Sequence, residues 1–303
     1  MSDMGTEEAA DHGGRPFDPR AEIGAFLRGR RARLRPEDVG LAASGRHRRV
    51  PGLRREELAL LSGVSVAYLT RLEQGRGANV SAEVLDSIGR ALRLTDTEHA
   101  HLTHLVNCQQ HNKRTPPRRR ERVRTTLWGM LASMEVPAYV TGPRSDILAW
   151  NPMAAALFGG LDGLPSHERN WARLAFLDSG HRRLFPDWES RAADTVGALR
   201  LYAGCHHDDP RLSALVGELS VRSEEFRRLW ARHDVRENNH GTTRLDHPLL
   251  GGLTLSFETF RLPDDHEQSL TVHHAPPGSE SAEKLRLLAG TPATAEEMLV
   301  RSF

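Results

Sequence analysis

Apolar residues recur at helical spacing through the first third of the chain and then give way to shorter alternating runs. Ile23, Phe26, Leu27 and Leu34 share one face of a helix predicted over residues 20–34. A polar, arginine-rich loop (RPEDVGLAASGRHRRVPG) follows, then a short helix over 54–62, a turn at 63–65 and a second short helix ending at Gln74. Ser81 is placed to N-cap a fourth helix carrying Val84, Leu85, Ile88 and Leu92. Thr95 with Glu98 makes a capping box for a fifth. These five helices predict a compact all-α bundle over residues 20–108.

The pattern changes at Arg122. "RVRTTLWGMLASME" keeps Val123, Leu127, Met130 and Leu131 on one helical face, and "PAYVTG" and "DILAWN" read as two strands around a Gly-Pro turn. Asn151 and Pro152 form an N-cap and first-turn pair for the helix MAAALFG. A mainly helical run spans about 170–235, and "TTRLDHP", "GLTLSFETFRL" and "QSLTVHHA" supply three more strands before a last helix in "SAEKLRLLAG". About five antiparallel strands with helical cover predict an α+β domain over 122–290. The chain is therefore read as multidomain, with a tail at 1–19, a basic linker at 109–121 and a C-terminal tail at 291–303.

The helix pair around Gly63 meets several steric demands together. Two helices joined by a short turn cross steeply and need a small residue at the contact, a permissive turn residue and apolar anchors. Ala59 and Leu58 face inward, Gly63 supplies the turn, and Val64, Leu69 and Leu72 close the other side. A generic helical hairpin satisfies some of these demands; a helix-turn-helix satisfies them all.

Charge adds the partner. Net charge over the 303 residues is only +1, yet residues 20–124 hold 22 Lys and Arg against 11 Asp and Glu. From Thr125 onward the balance reverses, 18 against 24. A basic module joined to an acidic one points to a polyanion partner for the first domain. Cys108 and Cys205 form no disulfide framework, no apolar run reaches membrane-spanning length, and the polar start lacks a signal-peptide core; a cytoplasmic protein without a membrane partner is expected.

The segment "RREELALLSGVSVAYLTRLEQGR", preceded by "RRVPGLRREELA", resembles the Cro/repressor-type helix-turn-helix of bacterial regulators, in the MmyB-like subgroup. The resemblance implies that the second helix of the pair lies in the DNA major groove. Base-reading positions then fall on Val66, Ala67 and Arg71, with Ser65, Tyr68 and Thr70 beside them. Val66 and Ala67 offer only apolar contact, whereas Arg71 suits a guanine edge. Arg55, Arg76 and Asn79 match phosphate-contact positions, and Arg46, His47, Arg48 and Arg49 occupy an additional loop suited to the backbone. For any one of these arginines a solvated surface charge is the alternative. Glu73 and Arg31 match a core-edge ion pair of the class, so Glu73 is not expected to face DNA.

The second domain carries a matching likeness. "AWNPMAAALFG", "NWARLAFLD", "FPDWE" and "SEEFRRLWARHDV" resemble the PAS-like ligand-binding domain of MmyB-type regulators, which implies a cavity under helices and a fatty-acid-like ligand. Apolar residues available to line it are Trp128, Leu131, Tyr139, Leu148, Trp150, Met153, Leu157, Phe158, Trp171, Phe176 and Trp230. Asn170 and Arg173, three apart on one helix, are placed to hold a polar head. Each aromatic taken singly also reads as core. A domain with a full core and no ligand, used only for dimerisation or a partner protein, is the alternative function.

Other chemistry is thin. His101, His104, Cys108 and His111 share a helical face, but the outer pair lies about 15 Å apart along a straight helix, too far to close one tetrahedron. Helix packing is the preferred reading, and no metal or cofactor is expected. The His206–Asp209 cluster reads as a solvated turn. No nucleophile elbow, metalloprotease motif or phosphate-cradling loop occurs, so no catalytic residue is assigned. The sequence thus predicts a non-enzymatic DNA-binding regulator, a homodimer on paired half-sites of double-stranded operator DNA, responsive to a small apolar or amphipathic ligand.

Overall fold

The computed structural model describes residues 19–41, 50, 52–76, 80–110, 122–204, 206, 208–263 and 265–289, without the side chains of 19, 20, 108–110, 265 and 266. The predicted tails and most of the linker lie outside them.

Five helices form the first domain: α1 (Pro19–Arg33), α2 (Arg55–Ser62), α3 (Val66–Glu73), α4 (Ala82–Ala91) and α5 (Asp96–Gln110). Their caps are those expected. Ser65 accepts from the Tyr68 amide at 3.1 Å, Ser81 from Val84 at 3.4 Å, and Thr95 and Glu98 cap each other reciprocally at 2.9 and 3.3 Å. Gly63 ends α2 at φ +66°, the left-handed conformation that a side chain disfavours. Ile23, Phe26, Leu27, Leu58, Leu69, Leu72, Ile88 and Leu102 fill the core. One member of that core, Val235, comes from the second domain.

The second domain opens with α6 (Thr125–Ser133), β1 (Ala138–Thr141), β2 (Ile147–Trp150) and α7 (Pro152–Phe158). A helical layer follows: α8 (Trp171–Leu177), α9 (Ser179–Leu184), α10 (Trp188–Ala203), α11 (Pro210–Arg222) and α12 (Glu224–Trp230). β3 (His240–His247), β4 (Gly251–Leu262) and β5 (Asp265–His274) complete the sheet, and α13 (Glu280–Ala289) closes the domain. The sheet is antiparallel, in the order β2-β1-β5-β4-β3. Alternation sorts its faces: Ala138, Val140 and Leu270 pack on α6, while Tyr139 points the other way into the core beneath α7 and α8.

Asn151 fastens this arrangement. Fully buried, its side-chain oxygen accepts from the Ala154 amide at 2.9 Å and the Ala138 amide at 3.0 Å. Its amide group donates to the carbonyls of Met134 at 3.1 Å and Val136 at 2.7 Å. One side chain thereby ties the end of α6 to β1 and the start of α7. Asn151→Ala removes a cap and strands buried polar groups, and should lower unfolding free energy by about 3 kcal/mol in a urea titration.

Candidate functional site

The α3 surface is built on a charged latch. Glu73 is buried, and its carboxylate accepts from Arg31 Nε at 3.2 Å and from Arg55 Nε and Nη2 at 2.9 and 2.6 Å. Its backbone carbonyl accepts from Arg28 Nη1 at 3.2 Å. A Cβ on Gly24 would fall well inside the contact distance of that carbonyl, so glycine there lets α1 approach the end of α3. The expected Arg31–Glu73 pair is present. Arg55, expected at a phosphate, is the second arm of the same latch, with its guanidinium partly exposed.

With α3 so held, Ser65, Val66, Ala67 and Arg71 stand exposed in one row, with Tyr68 and Thr70 half-buried beside them. The Thr70 hydroxyl is turned back onto the helix, donating to the Val66 carbonyl at 2.7 Å. The Arg71 guanidinium lies 5.9 Å from the Tyr68 ring centre. Burial pushes the Tyr68 phenol up against the opposing effect of Arg71, so it stays a neutral donor. Arg76 is exposed just beyond α3. Asn79, Arg46, His47, Arg48 and Arg49 lie outside the described residues.

The second site is a cavity of about 940 Å³ between the helical layer and the sheet. Its floor is one face of the central strands: Phe257, Thr259 and Arg261 of β4 alternate opposite His273, Thr271 and Ser269 of β5. Tyr139 of β1 extends the floor, and Trp171 and Phe185 close its inner end. The α10 wall is a stripe at helical spacing that includes Arg191, Asp194, Ala198 and Leu201. The facing wall is α5 of the first domain, through Thr97, Ala100, His101 and His104. Both domains therefore line the space.

This redraws the lining expected from sequence. Of the residues assigned there, Tyr139 and Trp171 face the cavity. Leu131, Leu148 and Trp128 sit with α6 on the opposite side of the sheet. Met153, Leu157 and Phe158 are close-packed core, and Trp150 spends its indole N–H on Asp162 at 2.9 Å. Phe176 and Trp230 both pack on Phe226 in the helical layer. Asn170 caps α8, and Arg173 is bound by Glu218 at 2.7 and 2.9 Å, so neither offers a head-group contact. Sequence reasoning missed Arg191, Thr271, His273 and the α5 wall. For Thr271 and His273 the signal was polar residues at alternate positions of one strand, whereas Arg191 and the α5 residues, on helices, carried none.

The walls are joined by a buried ionic seam. Glu22 of α1 takes Arg200 Nη1 of α10 at 2.5 Å and His233 Nδ1 at 3.0 Å, and Arg200 also donates to the Trp230 carbonyl while lying over that ring. Arg30 pairs with Glu98 at 2.9 Å and Asp234 at 3.4 Å; Arg33 pairs with Asp234 as well. Burial pushes Glu22 up, but His233 and Arg200 outweigh it and hold the carboxyl below its usual range. Beside the seam, His101 is buried against Phe26 at 5.3 Å and pushed down to about 4, chiefly by desolvation. The histidine stripe thus serves the domain junction and cavity wall. The Cys108 side chain and His111 are outside the described residues. Asp209, expected in a solvated turn, is instead buried, caps α11 and pairs with Arg144 at 2.8 Å.

No helix among the described residues is long and apolar enough to cross a membrane, and no cluster there of three or more His, Cys, Asp or Glu has metal-holding geometry. No curated protein matches the chain. Residues 22–102 match the family model of a helix-turn-helix domain. Residues 123–288, more than half the chain, match that of the MmyB-like transcription regulator ligand binding domain. Both are regulatory domains, the functions are those of a non-enzymatic DNA-binding regulator, and the chain belongs to the MmyB-like transcription regulators.

Proposed function

We propose that the protein binds operator DNA as a homodimer in the bacterial cytoplasm, through Arg71 and its neighbours, and that a small amphipathic molecule in the cavity adjusts that binding. The observation that carries this is the shared lining: α5 belongs to the DNA-binding domain and also forms a wall of the cavity. An occupant that reaches α5 touches both domains, so any preference it has for one placement of α5 shifts the heads that meet DNA. The domain limits of 20–108 and 122–290 are proposed on the same basis. A fatty-acid-like ligand is the form the family resemblance favours.

The test uses the full chain and DNA recovered by selection on the purified protein. Arg71→Ala should weaken binding by about 1–3 kcal/mol and relax preference at one base pair, whereas Arg76→Ala should weaken all sequences alike and flatten the salt dependence. Fluorescence anisotropy reads both. Affinity insensitive to Arg71→Ala and to salt would remove the DNA reading. Native mass spectrometry of protein from its host reports the dimer and any occupant; an empty cavity there, with operator affinity unmoved by any added small molecule, would favour a ligand-free dimerisation domain.

A further inference from the structure

Among the described arginines that line the cavity, Arg191 alone has no carboxylate against it. Asp187, Asp194 and Glu237 line it, and each is held by an arginine that lines it too: Arg244 at 2.6 Å, Arg236 at 2.8 Å and Arg261 respectively. Glu267 stands against His206 at 3.7 Å. Arg191 lies on α10 one turn from both Asp187 and Asp194, yet no ion pair joins it to any described residue. Its guanidinium lies over the Phe185 ring at 4.2 Å and 5.9 Å from Trp171. A stacked guanidinium keeps its in-plane N–H donors for a planar acid.

Around it the site supplies neutral hydrogen-bonding groups. The Tyr139 hydroxyl has Arg191 and Thr271 as polar neighbours, and burial keeps it protonated. Trp171 Nε1 and both ring nitrogens of His273 are buried without a hydrogen-bond partner in the structure. Burial, reinforced by Arg191, pushes His273 down to about 3, so it adds no second charge. An arginine without a counter-ion, beside the Tyr139 hydroxyl, marks the inner end as a place for an acid group.

Ring geometry and lining set the rest of the occupant. Tyr139 lies 4.9 Å from Trp171 and 5.7 Å from His273, which is 5.7 Å from Phe257, making a continuous aromatic wall. Leu201 is the only Leu, Ile, Val or Met among the described lining residues. A long acyl tail would lie on hydroxyls, amides and ion pairs and strip their water without replacing its bonds.

We infer that the cavity takes a compact aromatic carboxylate, its ring against the wall of Tyr139, Trp171 and Phe257 and its acid group on Arg191. This rests on the ligand-responsive function proposed above and departs from the fatty-acid expectation.

Isothermal titration of the full chain with sodium 1-naphthoate, neutral 1-naphthamide, decanoate and myristate tests it. Naphthoate should bind about tenfold or more tighter than naphthamide. Arg191→Gln should erase that preference while leaving naphthamide binding within about twofold, and Arg191→Lys should keep part of it, because the charge remains without the planar fork. Equal binding of acid and amide, an acid preference that survives Arg191→Gln, or no saturable heat with naphthoate would each overturn the assignment. Tighter binding of decanoate or myristate would overturn it and leave the ligand-responsive function standing. That function fails separately, when a probe that binds leaves operator affinity unmoved in anisotropy.

Discussion

Replacing Arg200 with methionine is expected to loosen the two domains from each other and to cost about 3–5 kcal/mol, because the change leaves Glu22 buried without its counter-charge. Arg200 is among the most enclosed side chains of the molecule, and its partner belongs to the first helix of the DNA-binding domain. Denaturant unfolding should fall in midpoint, or split into two transitions as the domains lose their joint cooperativity. The double variant Glu22→Leu with Arg200→Met should recover most of the loss, since an apolar pair of similar volume avoids the unpaired charge.

The pH dependence follows from the Glu22 shift. Its carboxyl is depressed in the folded protein, so its contribution is complete above the ordinary carboxylate value and is lost as pH falls through the lowered one. Wild-type docking should therefore hold at neutral pH and fail only in acid. In Arg200→Met, removal of a depressing charge moves that failure toward neutral pH. A stability profile that does not shift upward in pH would show that Glu22 is not the titrating group.

Glu73→Ala carries the second large effect. One buried carboxylate accepts from both Arg31 and Arg55 at the junction of α1, α2 and α3. Its removal leaves the more buried Arg31 without its counter-charge and the junction without its shared acceptor, and unfolding free energy should fall by about 3 kcal/mol. Operator binding should weaken as well, although Glu73 is placed away from the exposed row of α3. Glu73→Gln, which keeps one acceptor without the charge, should lie between. If Glu73→Ala were as stable as wild type, the latch would be idle in holding the recognition helix.

Helix boundaries and caps were legible because their causes are local. Ser65, Ser81, Asn151 and the Thr95–Glu98 box each satisfy amides within three residues. Gly63 needed only its own φ. The two-domain layout was legible for a similar reason, since charge and periodicity both change near residue 122. The cavity was not. Trp150, Met153 and Phe158 carry the apolar character of a ligand pocket, but strand register and the path of α7 put them into packed core. What makes the cavity polar is the alternation of β4 against β5, and only pairing shows that Thr259 faces Thr271 at 3.0 Å between the hydroxyls. The α5 wall was beyond reach for the same reason. Nothing near His101 announces that Arg200 will come to lie beside it.

Val235 has a consequence for synthesis. It lies in the core formed by α1 to α5, yet it is made long after them. As the chain emerges, the five helices have every caps-and-turns reason to form, but a hole remains where Val235 will sit. Domains ordinarily fold in turn during translation at about 5–20 residues per second, so this one waits several seconds for its last core side chain. A nascent chain arrested before Val235 should yield a helix-turn-helix domain that is cleaved faster by protease than the same domain in the finished protein. The DNA-reading head then becomes fully stable only once the sensor has begun to fold against it, which withholds a competent head from unfinished chains.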